Sequence, residues 1–141
     1  MDNSSNSLFA SLGLPDFDLT NQTSYIQFVR NGIPGNVVKR AVNIFGNRDL
    51  FVRILGTTSS NLSRYYRVKK MNRVDSEEML DTIRLYEQAI RVFGDMDKVK
   101  EWINTPLPVF SGEAPEALFD TFEGRNWVSQ ILRKIEYGEF S

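Results

Sequence analysis

The sequence predicts an all-α chain in which an N-terminal helix-turn-helix part is followed by a helical C-terminal part. Apolar residues recur at steps of three and four, most regularly at Met79, Ile83, Tyr86, Ile90 and Phe93 and again at Trp127, Val128, Ile131, Leu132 and Ile135. Each set falls on one face of a 3.6-residue helix. Glycines stand at the ends of such stretches, at Gly46, Gly56, Gly94 and Gly138, where the left-handed turn that closes a helix favours them. Residues able to cap a helix stand at several of the starts.

In chain order, residues 1–22 mix Asn and Ser with isolated apolar residues and read as an arm with no stable fold of its own. Leu8, Phe9, Leu12, Leu14 and Phe17 could fasten it to a neighbour, and a short helix over Leu8 to Leu12 is compatible with their spacing. Thr23 or Ser24 caps a first helix over Tyr25 to Arg30, closed by Asn31 and Gly32. Pro34 suits the first turn of the next, whose stripe is Val37, Val38, Ala41, Val42 and Phe45. A short helix with Leu50, Phe51, Ile54 and Leu55 inward stops at Gly56, and Thr58 and Ser59 lead into another that packs through Leu62, Tyr65 and Tyr66.

From Asp75 the pattern changes. Asp75 and Glu78 have the spacing of a capping box at the head of a helix of about five turns, with Leu80 and Ala89 widening its stripe. A seam this regular could join two copies, although burial within one chain is the favoured use. Asp95 or Asp97 starts a helix carrying Val99, Trp102 and Ile103, which Pro106 and Pro108 terminate. Ser111 to Thr121 gives a short helix with Leu118 and Phe119 inward, and Glu123 to Gly138 gives the last one. That amphipathic helix is not stable alone, so it must lie against the rest of the chain, another chain, or both. The expected division is a flexible arm over 1–22, a helix-turn-helix domain over 23–73 and a helical domain over 74–141.

With 141 residues the chain is one ordinary domain or two small ones. It has neither cysteine nor histidine. Disulfides, thiolate nucleophiles, cysteine or histidine metal sites and the commonest general base are therefore absent. No acid pair sits in a catalytic context and no phosphate-cradling glycine motif occurs, so neither an enzyme nor a bound cofactor or metal is expected. No run approaches 18 apolar residues and the polar N-terminus lacks basic residues, so a soluble cytoplasmic protein without membrane span or signal peptide is expected.

The net charge of −1 conceals a strong segregation. Residues 1–29 carry −3, residues 30–73 carry +9 with Asp49 as their single acid, and residues 74–141 carry −7. A basic third of this kind suits a polyanion. The helix, glycine turn and helix inside it resemble a helix-turn-helix, whose second helix can lie in a major groove. With Leu62 and Tyr65 inward, Ser59, Ser60, Asn61, Ser63, Arg64 and Arg67 face outward, followed by Lys69 and Lys70. Hydroxyl, amide and guanidinium groups are the types that meet base edges and phosphates.

About 85 residues, from Gly56 to Phe140, resemble the Xre/MbcA/ParS family of antitoxins, partners of RES-domain toxins. The resemblance rests on Phe93-Gly94-Asp95, Val99, Trp102 to Pro106, Pro108, Gly112, Pro115, Leu118, Phe119-Asp120-Thr121 and Glu123-Gly124, and on Ile131-Leu132, Ile135-Glu136-Tyr137-Gly138 and Phe140. Phe119, Phe122, Lys134 and Thr57-Thr58 depart from the family's usual residues. The resemblance implies an antitoxin that binds a NAD+-consuming RES toxin, covers its active site with the C-terminal segment, and represses its own operon by binding operator DNA. It also implies a homodimer and a higher toxin-antitoxin complex.

On that reading the toxin-binding residues are Arg125, Val128, Leu132, Lys134, Ile135, Glu136, Tyr137, Gly138, Glu139 and Phe140, with Trp127, Ile131, Leu132 and Ile135 equally able to serve the core. The alternatives from other classes are a helix-turn-helix transcriptional regulator without a cognate toxin, and a pure interaction module.

Overall fold

The computed structural model describes residues 4–15 and 21–138. Phe17, Glu139 and Phe140, named above, lie outside the described residues. Eight α-helices and two short 3-10 helices form the described chain, which contains no strand among those residues. Two compact units emerge, one carrying Asn6–Asp81 and the other Thr82–Ser141.

In the N-terminal unit, α1 (Ser4–Ser11) is followed by α2 (Gln22–Asn31), α3 (Asn36–Phe45), α4 (Arg48–Leu55) and α5 (Leu62–Tyr65). Within the expected arm, the described Leu8, Phe9, Leu12 and Leu14 are all buried, the residues whose spacing could fasten it. Gly13 turns the chain at φ 77°, and the Arg40 side chain packs beside it and donates to the Ser11 carbonyl. The cap of α2 is Asn21, whose side chain accepts from Ser24 N–H at 3.0 Å, so the helix starts earlier than a Thr23 or Ser24 cap would allow.

The stripes read in α3 and α4 are buried as their spacing requires: Val37, Val38, Ala41 and Phe45, then Leu50, Phe51, Ile54 and Leu55. The Phe45 and Phe51 rings stack with centroids 6.0 Å apart. The loop between α2 and α3 is pinned to the chain after α5. Ile33 and Met71 are joined by an N–H to carbonyl bond, Gly35 N–H donates to Val68, and the buried Ser76 hydroxyl accepts from Ile33 N–H and donates to the Met71 carbonyl. Gly35 has no room for a side chain, since a Cβ would stand 1.7 Å from the Tyr65 carbonyl oxygen.

The long helix α6 (Arg73–Phe93) begins two residues before Asp75. The Asn72 side chain accepts from Asp75 N–H at 2.8 Å, which leaves Asp75 in the first turn, where negative charge is favoured. In the C-terminal unit, α7 (Met96–Ile103) is capped by Asp95 through Lys98 N–H. Two 3-10 helices follow, Pro108–Phe110 and Pro115–Leu118, and then α8 (Phe122–Glu136), capped by Thr121 through Gly124 N–H.

The core of this unit is held by aromatic contacts at successive distances: Phe93 to Trp102 at 5.2 Å, Trp102 to Phe110 at 6.4 Å and Phe110 to Trp127 at 5.0 Å. Tyr86 meets Phe119 edge-on at 5.7 Å. Such tilted and edge-on pairs add to the gain from burial itself. No helix is long and apolar enough to cross a membrane among the described residues.

Candidate functional site

Each unit carries a candidate surface made of side chains that the core does not use. In the N-terminal unit that surface is the turn after α4 together with α5. Gly56 adopts φ 62° and its N–H bonds back to the α4 carbonyls, which ends the helix and turns the chain. Thr58 Oγ1 accepts from Asn61 N–H at 3.2 Å and lies 3.2 Å from Ser60 Oγ, so the approach to α5 is a hydroxyl-stabilised turn.

The second helix is shorter than the sequence pattern implies, because residues 59–61 and 66–67 are turns that leave only Leu62–Tyr65 helical. Leu62 is fully buried and anchors it. Ser59, Ser60, Ser63, Arg64, Arg67, Lys69 and Lys70 are exposed and Asn61 is half-buried, so the eight side chains expected to meet DNA lie in one accessible segment. Burial and the nearby Asp75 carboxylate push the Tyr65 phenol above its usual range, partly offset by a bond with Thr57, which keeps it uncharged.

One residue of this surface was not foreseen. Arg48, at the first position of α4, reaches across the turn: Nε donates to Ser59 Oγ at 3.4 Å, one terminal nitrogen to the Ser59 carbonyl at 2.5 Å and the other to Tyr66 Oη at 3.1 Å. The sequence signals only its charge; Ser59 is eleven residues away.

In the C-terminal unit the surface is the outer face of α8. Phe122, Asn126, Gln130, Arg133 and Tyr137 follow at steps of four, four, three and four and are all exposed, which sets them along one side of the helix. Phe122 is 64% exposed and Tyr137 70%, large values for aromatic rings, whereas Trp127 at 37% has its ring against Phe110. Lys134, Glu136 and Gly138 are exposed and Ile135 is half-buried.

Three residues expected on the partner face are internal. Val128 and Leu132 are fully buried, as the inward stripe demands, and Arg125 is 2% exposed. Arg125 turns inward because the chain bends back before α8 and offers the Phe119 carbonyl, to which its guanidinium donates at 2.8 Å. A cation expected on the partner face is thus part of the core.

Glu136 is not a free side chain. Its carboxylate lies 3.8 Å from Arg91 Nε, while Arg91 donates to the buried Glu87 at 2.6 Å. This ties the end of α8 to α6. Gly124, one turn into α8, sits so close to the preceding bend that a Cβ would be 1.9 Å from the Leu118 carbonyl oxygen. Among the described residues no cluster of acidic side chains is arranged to hold a metal ion.

Residues 88–138 match the family model described as the antitoxin Xre/MbcA/ParS C-terminal toxin-binding domain, a span that contains α7, α8 and both 3-10 helices. An antitoxin Xre from Photorhabdus laumondii is 28% identical over 139 residues, covering 95% of this chain and 90% of that protein. An antitoxin Xre from Yersinia enterocolitica is 29% identical over 68 residues, 48% of this chain and 46% of that protein. A Prs ADP-ribosylating antitoxin from Sphingobium is 33% identical over 76 residues, 48% of each chain. From the match over α7, α8 and both 3-10 helices, residues 88–138 form a C-terminal toxin-binding domain of the Xre/MbcA/ParS antitoxin family, within a chain similar to one Xre antitoxin along nearly its whole length.

Proposed function

We propose that this antitoxin neutralises a NAD+-consuming RES-domain toxin by covering its active site with α8 and the residues that follow, and that it represses its own operon through α4, the turn and α5. The observation that carries the toxin half is the exposed face of α8 within the matched domain, where Phe122 and Tyr137 stand out of the core at the two ends of one polar stripe. Exposed aromatic rings of this kind are the usual anchors of a protein interface. The NAD+ belongs to the toxin. Operator binding is supported by the segregated charge, +9 over residues 30–73, and by the exposed polar and basic run from Ser59 to Lys70.

Two measurements test the two halves separately. Removing residues 136–141 should restore growth arrest in cells that co-express a RES-domain protein encoded beside this gene, while the truncated chain keeps its helical content. Continued growth would remove the plugging role. Replacing Arg64 and Arg67 by Ala should abolish binding to the DNA upstream of the gene and leave neutralisation intact; unchanged DNA affinity would remove the role of α5.

A further inference from the structure

The geometry points to Arg48, Ser59 and Tyr66 as one phosphodiester-binding site, a fixed contact to the DNA backbone beside the α5 surface. It rests on the operator-binding reading above. Arg48 is exposed, yet its guanidinium is held by three hydrogen bonds to atoms of neutral groups: Ser59 Oγ, the Ser59 carbonyl and Tyr66 Oη. Among the described residues it has no acidic partner. The neighbouring carboxylate of Asp49 is engaged with Arg53 at 3.2 Å. The charge is therefore positioned but not neutralised.

The donor inventory narrows the ligand. An arginine has five N–H donors; three are used here, leaving one on each terminal nitrogen. Ser59 Oγ and Tyr66 Oη both accept from Arg48, which leaves the hydrogen of each hydroxyl for another acceptor. Two N–H and two O–H groups around one cation form a site rich in donors, and its complement is an anion whose oxygens only accept. A phosphodiester supplies two such oxygens and matches a guanidinium in bidentate fashion. A protein carboxylate offers similar chemistry, but the exposed Arg64, Arg67, Lys69 and Lys70 in the same segment favour a repeating polyanion. Because the three groups already brace one another, little ordering remains to be done on contact.

The test uses the full chain with two duplexes of equal length, one from immediately upstream of its own gene and one unrelated, with affinity measured across a salt series. Arg48→Gln should weaken both duplexes by a similar factor of about ten, the loss of a charged hydrogen-bonded contact, and lower the slope of log affinity against log salt by about 0.9. Tyr66→Phe should weaken both by about threefold and leave the slope unchanged, since a neutral donor and one brace on Arg48 are lost but no charge.

Weaker binding with an unchanged slope in Arg48→Gln would make Arg48 a structural brace only, and loss confined to the upstream duplex would make it a base reader. A change in toxin affinity with DNA binding untouched would assign the site to a protein carboxylate. Each of these overturns the inference while operator binding stands. Wild-type protein that binds neither duplex would overturn both. If Arg48→Gln does not fold, Arg48→Lys decides: the wild-type slope with reduced affinity supports the site, and a reduced slope defeats it.

Discussion

Gln88 on α6 and Ser129 on α8 exchange two hydrogen bonds across 41 positions of sequence: Gln88 Nε2 donates to the Ser129 carbonyl at 3.1 Å and Ser129 Oγ donates to Gln88 Oε1 at 2.8 Å. Both residues are half-buried, so either partner alone would leave polar groups poorly solvated. Gln88→Ala is expected to lower stability by about 1–3 kcal/mol. The pair Gln88→Ala with Ser129→Ala should cost less than the two single changes added together, a coupling that denaturant titrations would read.

The two glycines pressed against backbone give a sharper expectation. Gly35→Ala and Gly124→Ala place a methyl group 1.7 Å from the Tyr65 oxygen and 1.9 Å from the Leu118 oxygen. Backbone must move in each case, with a loss of about 1–3 kcal/mol. Gly112→Ala meets nothing within 4 Å and suffers only from its φ of 86°, so it should melt closer to the wild type. Thermal melts of the three variants rank the effects.

Docking of α1 predicts that the N-terminal segment contributes to stability. Leu12 is fully buried, and Leu12→Ala should cost about 2–5 kcal/mol. A loose arm would tolerate the change without a shift in midpoint.

On α8, function and stability should separate by side of the helix. Phe122→Ala and Tyr137→Ala alter exposed rings and should change stability by no more than about 0.5 kcal/mol, yet weaken toxin binding by roughly tenfold or more if they are interface anchors. Arg125→Ala should do the reverse, costing about 1–3 kcal/mol of stability by stranding the Phe119 carbonyl. Melting curves beside a toxin-binding titration distinguish the two outcomes.

Much of this architecture is legible in spacing. The inward sets of α3 and α4 follow from the positions of Val, Leu, Ile and Phe alone, because a 3.6-residue period leaves few ways to hide them. Helix starts are less legible. Asn21 and Asn72 take the capping roles, and in each case a plausible hydroxyl or carboxylate lay two or three residues downstream. The errors at the sites share one cause, dependence on groups brought together only by the fold. Arg125 is buried because the chain bends at Phe119, and Arg48 acquires meaning because a turn brings Ser59 to it. Phe122 is legible only as a departure from the family's usual residues and not as part of the partner face, since an apolar residue at the head of an amphipathic helix ordinarily packs, whereas here, directly after the Thr121 cap, it is exposed.

The line of rings from Phe93 to Trp127 has an optical consequence. The chain's two tryptophans, Trp102 and Trp127, both belong to the C-terminal unit, one half-buried and one 37% exposed. Intrinsic emission excited at the indole band therefore reports on that half of the molecule and is silent about the basic half. On the proposed function, a protein that covers α8 should therefore shift the colour of Trp127, and an unlabelled sample would report its arrival.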